Sequence, residues 1–167
     1  IYNRRRGAKS RYRQIDFKRN KYNIEGVVES VEYDPNRTCE VAVILYTDGE
    51  RRFILAPAGI SVGDRVISGE KVPVKAGNSM PMANIPIGTP IHNIEMYPMA
   101  GGKFIRSAGG AAYITAKEGK YVNIRMPSGE IRRFLAACYA TIGQIGNEEW
   151  KLVTLGKAGR SFHLGKR

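Results

Sequence analysis

The feature that most limits the folds open to this chain is a stretch rich in glycine and proline, residues 77–110. It holds six Gly and four Pro in thirty-four residues, a composition that disfavours long regular elements. Segments with β-type patterns lie on both sides of it. We therefore predict a domain junction here, ending in a glycine-flanked basic loop around Arg106.

The chain before the junction has the pattern of short strands separated by turns. Asp34-Pro35-Asn36-Arg37 has the residue order of a β-turn, and Asp48-Gly49 is a strong hairpin signal. The predicted strands are residues 27–33, 39–46, 51–56 and 65–67. With no helix of useful length among them, they favour a small β-barrel or sandwich.

The chain after the junction continues in the same style. The predicted strands are residues 90–97, 111–116, 121–126, 131–135 and 150–155, and only residues 135–140 have features of a short helical turn. Both halves thus predict an all-β protein. Two small β units are favoured over one long sandwich.

The charge is concentrated at the two ends of the chain. The net charge of +12 arises from nine basic and one acidic residue within 1–22 and four basic residues within 156–167, whereas residues 23–155 hold fourteen bases and fourteen acids. A neutral body with basic arms predicts a polyanionic partner, nucleic acid first and an anionic membrane second. Because neither arm has an amphipathic apolar face, and no apolar run approaches the roughly 18 residues of a membrane span, we predict no membrane partner.

Aromatic residues are interleaved with the bases of the N-terminal arm. Tyr2, Tyr12, Phe17 and Tyr22 alternate with Arg and Lys, so they could stack on nucleobases or dock the arm on the body. A solvated, disordered tail would leave these four rings unexplained. The composition therefore favours contact with nucleic acid.

Catalysis has little support in the sequence. His92 and His163 lie far apart, and no His/Cys cluster has the spacing of metal ligands, so we predict no enzyme activity, metal or cofactor. His92, on an apolar face, is predicted to be structural. Cys39 and Cys138 are predicted to be buried free thiols of a reducing compartment, with a disulfide as the minor possibility.

Two arginines of the body stand out as candidates for contact with nucleic acid. Arg37 and Arg106 each lie in a predicted turn or loop close to Gly, Pro or Asn, although most surface arginines are simply solvated charges. The strand pairs at 51–52 and 132–133 are weaker candidates. The other residues predicted to bind nucleic acid are basic residues of the arms and of the loop near Arg106, namely Arg11, Arg13, Lys18, Arg19, Lys103, Lys157 and Arg160.

Eight motifs occur in the order known from one protein family. They are IDFKR at 15–19, EYDPNR at 32–37, RFILAP at 52–57, GNSMPM at 77–82, NIPIG at 84–88, HNIE at 92–95, RSAG at 106–109 and GKAG at 156–159. From about residue 11 to 159 the chain resembles the bacterial and organellar type of large-subunit ribosomal protein two. The His-containing, Gly-rich C-terminal extension of that family has no counterpart in this sequence, so no catalytic role is transferred from it.

The resemblance implies both a fold and a function. It implies an OB-like barrel followed by an SH3-like barrel, which gives a basic arm at 1–22, an OB-like barrel at 23–83, an SH3-like barrel at 84–155 and a second basic arm at 156–167. It implies binding of large-subunit rRNA beside neighbouring ribosomal proteins, support of subunit assembly, subunit association and the peptidyl transferase region, and RNA-binding roles for Arg37 and Arg106. Small-subunit rRNA is a further implied partner, and the implied location is the ribosome of a bacterial cytoplasm or an organelle matrix.

One alternative from another functional class stays open at this point. Small β-barrels often bind peptides in grooves, and the middle of the chain is neutral. A protein-interaction module built on small β-barrels would share both of these features.

Overall fold

The computed structural model describes residues 10–163 and is built almost entirely of short strands. In chain order they are β1 (Gly26–Glu32), β2 (Val41–Tyr46), β3 (Arg51–Leu55), β4 (Arg65–Val66), β5 (Ser79–Pro81), β6 (Pro90–His92), β7 (Ile94–Glu95), β8 (Gly102–Phe104), β9 (Ala112–Glu118), β10 (Tyr121–Arg125), β11 (Ile131–Leu135) and β12 (Tyr139–Ile142). A 3-10 helix, Glu148–Leu152, and a short helix α1, Ala158–His163, follow them. The predicted all-β class is confirmed, and a curled half-barrel sheet is compatible with the implied OB-like and SH3-like barrels.

The first sheet contains four antiparallel strands in the order β3-β2-β1-β4. The predicted hairpin joins β2 to β3, and Gly49 takes a φ of 84°, which glycine adopts without strain. Strand β2 is covered on both faces. Ala42 and Ile44 belong to the core of this sheet, whereas Val41 packs into a separate cluster on the other side.

The second sheet contains six strands in the order β11-β10-β9-β6-β12-β5, and β7 and β8 form a separate pair. The strands predicted at 111–116, 121–126 and 131–135 are present with small shifts of their ends. Inward-facing residues such as Ile114, Val122 and Ile124 form a large apolar core with Ile91 and Met80. Strand β5 pairs with β12, so residues 79–81 lie in the second sheet rather than the first.

Three local sequence predictions are wrong. The strand predicted at 90–97 is broken at Asn93, whose φ of 49° interrupts the extended backbone between β6 and β7. The helical turn predicted at 135–140 is not present, because Leu135 ends β11, residues 136–138 form a turn and Tyr139 begins β12. Residues 150–155 do not form a strand, because Asn147 is left-handed and starts the 3-10 helix, in which Trp150 N–H donates to the Asn147 carbonyl at 3.1 Å.

Residues 10–22, the described part of the predicted N-terminal arm, pack against both sheets. Ile15 forms a parallel bridge with Phe53 of β3, and it is buried in a third apolar cluster. The same cluster contains Leu55 from the first sheet and Ala108 and Ile145 from the second half of the chain. This segment therefore joins the two halves of the protein.

Both cysteines are free and buried, as predicted, and His92 is buried as well. Cys39 and Cys138 are free and buried, and burial raises the pKa of both thiols, that of Cys138 to about 11. The His92 Nδ1 lies 2.7 Å from the Gly143 carbonyl oxygen, and burial lowers the pKa of this imidazole to about 4. Among residues 10–163, no helix has the length and apolar character needed to cross a membrane.

Candidate nucleic-acid interface

The first element of the candidate site is the turn that carries Arg37. The Asp34 carboxylate accepts the Asn36 backbone N–H at 2.9 Å and the Arg37 Nε–H at 2.5 Å. Burial raises the pKa of Asp34, but the hydrogen bonds from Arg37 and Asn36 outweigh this effect and hold the pKa below its ordinary value. A buried, ionised carboxylate thus fixes the direction of the Arg37 side chain.

The second element is the loop that carries Arg106. Ile105 and Gly109 both have positive φ, and Gly110 N–H closes a turn onto the Ser107 carbonyl at 3.0 Å. Arg106 itself is exposed. Among residues 10–163, its one side-chain hydrogen bond is a long one, 3.5 Å from Nη1 to the Gly102 carbonyl oxygen.

The two loops come from different sheets and touch each other directly. Ala108 N–H donates to the Thr38 hydroxyl at 3.1 Å, and the Cys39 thiol donates to the Arg106 carbonyl at 3.5 Å. Arg37 and Arg106, sixty-nine positions apart in the sequence, therefore belong to one continuous surface.

The ring of Phe17 lies beneath both guanidinium groups. The Arg106 Cζ is 4.5 Å from the ring centroid and the Arg37 Cζ is 5.8 Å from it, both within the range of cation–π attraction. The Phe17 carbonyl accepts hydrogen bonds from Gly102 N–H at 2.9 Å and from the Asn93 side-chain amide at 3.2 Å. Two residues of the second half of the chain thereby hold the backbone of Phe17 in place.

Phe17 and Arg106 are among the residues that line an open groove of about 820 Å³. Two of the arginines that line it are neutralised, since Arg52 pairs with Asp16 and Glu50 and Arg51 pairs with Glu29. Its other cations are Lys18, Lys103 and Arg106, and none of these three joins an ion pair within residues 10–163. The groove therefore presents three cations that remain available to a polyanion.

Four other residues that were predicted to bind RNA do not line this groove. Arg11 is exposed, and Arg13 pairs with Glu32 at 3.4 Å. Lys157 and Arg160 are exposed in the C-terminal segment and do not line the groove.

Arg19 requires a correction, because its side chain is only 2% exposed. Its Nη2 donates to the Gly77 carbonyl at 2.9 Å, and its own carbonyl accepts the Ser68 hydroxyl at 2.7 Å. The enclosed guanidinium joins the arm to the backbone at Gly77 and is not placed to contact RNA.

Phe17 and Asn93 are the site residues that sequence reasoning did not identify as such. The sequence indicates Phe17 only as one of several rings in a basic arm, and Asn93 only as part of a predicted strand. The sequence carries no local signal for either role, because Asn93 takes a positive φ in the fold and the two loops lie far apart along the chain. Among residues 10–163, no group of His, Cys, Asp and Glu could hold a metal ion.

The family comparisons cover both halves of the chain. Residues 1–68 match a sequence family described as Ribosomal Proteins L2, RNA binding N-terminal domain, and residues 75–167 match Ribosomal Proteins L2, C-terminal domain. The chain is 55% identical over 161 residues to the large ribosomal subunit protein uL2 of Endomicrobium trichonymphae. The match covers 96% of this chain and 58% of that relative, so the chain spans little more than half the length of the relative. The chain belongs to the family of ribosomal proteins L2.

Proposed function

We propose that this chain is a structural, non-enzymatic constituent of the large ribosomal subunit that binds large-subunit rRNA. The observation that carries the proposal is the convergence of Arg37 and Arg106 on the Phe17 ring, beside a groove whose Lys18 and Lys103 have no ion-pair partner within residues 10–163. Such a surface can contact a phosphodiester backbone at several points. The RNA-binding description of the matching N-terminal family domain supports the same assignment.

The finer parts of the proposal follow from the family. We infer neighbouring ribosomal proteins as further partners, and roles in subunit assembly, in subunit association with small-subunit rRNA and in support of the peptidyl transferase region. The bacterial relative favours a ribosome in a bacterial cytoplasm over one in an organelle matrix. The pairing of β5 with β12 favours a domain boundary between residues 68 and 79 over the predicted one at 83.

The test is the salt dependence of binding to a fragment of large-subunit rRNA. The plot of log affinity against log salt concentration should be steep, with about −0.7 to −0.9 for each neutralised phosphate. Arg106→Ala should weaken binding and make the slope shallower by about one such unit, while the melting temperature stays unchanged. Arg125→Ala removes an exposed arginine outside the groove and serves as the matched control.

Arg37 needs a different variant, because Arg37→Ala alone would leave the buried Asp34 carboxylate without its cation. The double substitution Asp34→Asn with Arg37→Ala removes both charges and keeps an acceptor for the Asn36 N–H. It should also weaken binding. An affinity that does not depend on salt, or one unaffected by either set of substitutions, would contradict the proposed function.

A further inference from the structure

The segment after β7 displays apolar side chains to solvent. Residues 96–100, Met-Tyr-Pro-Met-Ala, are all exposed, with Tyr97 at 58% and Met99 at 73%. Ala100 N–H donates to the Tyr97 carbonyl at 3.2 Å, which closes a tight turn at the tip. We refer to this segment as the 96–100 loop.

A buried carboxylate fixes the shape of the 96–100 loop. Glu95 is 2% exposed and accepts the backbone N–H groups of Met99 at 3.3 Å, Gly101 at 2.9 Å and Tyr139 at 2.9 Å. Within residues 10–163 this carboxylate has no Lys or Arg partner. Its hydrogen-bonding capacity therefore serves to hold the loop against β12.

The tip of the 96–100 loop has a conformation that suits glycine better than methionine. Met99 has a φ of 63° and follows Pro98, the arrangement of a turn whose third residue is usually Gly or Asn. The exposed Met99 side chain adds little packing to offset this strain. The folded protein thus presents Met99 and Tyr97 at a fixed position, and neither side chain belongs to an apolar cluster of residues 10–163.

The base of the 96–100 loop forms one wall of the cationic groove. Ala100 lines the groove together with Lys103 and Arg106. On the same wall, a Cβ added to Gly101 would lie 3.1 Å from the Lys18 Cγ, so Lys18 packs closely against the loop. The apolar tip and the available cations therefore occupy adjoining surfaces.

We propose that the 96–100 loop is a second RNA-contact element, in which Tyr97 and Met99 pack against unpaired bases of the strand whose backbone lies in the groove. This inference rests on the proposed function. Aromatic rings stack on bases of any sequence, and methionine is among the side chains that wedge between base steps. RNA is favoured over a protein partner because the cations beside the loop attract a polyanion, whereas apolar protein interfaces are depleted in lysine.

The first test compares Tyr97→Ala and Met99→Gly with the unmodified chain, using an rRNA fragment that contains unpaired bases. Tyr97→Ala should bind at least about five-fold more weakly, as expected for the loss of one stacked base, and Met99→Gly should also weaken binding. The salt slope should not change in either variant, because no charge is removed. Met99→Gly should also leave the melting temperature unchanged or higher, since glycine accepts the positive φ. Tyr113→Ala, which removes an exposed tyrosine outside the groove, is the matched control.

The second test identifies what the loop touches. A photoreactive amino acid at position 97, carried by the full chain in purified large subunits, should crosslink to RNA. Crosslinks to protein alone, or unchanged affinity in both loop variants, would overturn the inference. If Arg106→Ala still makes the salt slope shallower in that case, the proposed function survives without the 96–100 loop, and if it does not, the proposed function fails as well.

Discussion

The substitution Phe17→Leu should affect Arg106 more than Arg37, because different contacts hold the two side chains in place. The main support of Arg106 is the Phe17 ring, whose centroid lies 4.5 Å from the Arg106 Cζ. Arg37 is fixed by the Asp34 carboxylate, which accepts its Nε–H at 2.5 Å. An exposed cation–π contact stabilises by about 0.5–1 kcal/mol, and ordering a freed side chain on binding costs about 0.5–1.5 kcal/mol. Losing the ring should therefore weaken RNA binding by a factor of about 2–10, with the salt slope unchanged because both charges remain.

A double-mutant cycle measures this dependence. We expect a coupling energy of about 0.5–1 kcal/mol between Phe17→Leu and Arg106→Ala in binding to the rRNA fragment. The coupling of Phe17→Leu with the Asp34→Asn, Arg37→Ala pair should be smaller. Tyr121→Leu removes a ring beneath Arg133, whose Cζ lies at 5.1 Å, and provides a control outside the groove. Equal affinities of Phe17→Leu and the unmodified chain, with thermal melting confirming an intact fold, would refute the reasoning.

Two further predictions concern buried residues. The pKa of His92 is lowered to about 4 from its ordinary 6.5, so the unfolded chain binds the proton first as the pH falls. The free energy of unfolding should therefore decrease between pH 6.5 and 4, by on the order of 3 kcal/mol in all, in urea titrations across this range. His92→Asn should remove most of this pH dependence, and a flat profile for the unmodified chain would contradict the assignment. Arg19→Ala leaves the buried Gly77 carbonyl without its donor and should lower the free energy of unfolding by about 1–3 kcal/mol. The salt slope of RNA binding should not change. A shallower slope in a stable variant would show that Arg19 does contact RNA.

The all-β class could be predicted because its signals are local. Alternating apolar residues and the Asp48-Gly49 turn determine the β2–β3 hairpin within fifteen positions of the chain. The break at Asn93 could not be predicted in the same way, because residues 90–97 contain mostly strand-compatible side chains. The Asn93 amide is used to bind the Phe17 carbonyl, a partner seventy-six positions away. Local propensity thus failed where a distant contact decides the backbone conformation.

The candidate site could be predicted in part for the same reason. Turn composition, which is local, and the family resemblance both indicate Arg37 and Arg106. Their meeting over one ring depends on hydrogen bonds between loops of different sheets, such as that from Ala108 N–H to Thr38, and no periodicity encodes such a contact. The 96–100 loop has no sequence motif either, since its exposure and the positive φ of Met99 are properties of the folded chain.

The contacts of three arginines show why a charge count alone cannot locate an RNA-binding surface. Arg19 lies in the most basic part of the chain, yet its guanidinium is enclosed against a backbone carbonyl, and Lys21 nearby is held by Asp48 and Glu50. Arg37 lies in the nearly neutral body, but its carboxylate partner occupies only one of its donors, Nε. Arg106 has no ion-pair partner within residues 10–163 and stands over a ring. The position of the protein's own acceptors thus decides which cations remain available to phosphate. Some basic side chains of the arm bind acceptors of the body, and the body supplies the strongest candidates for RNA contact.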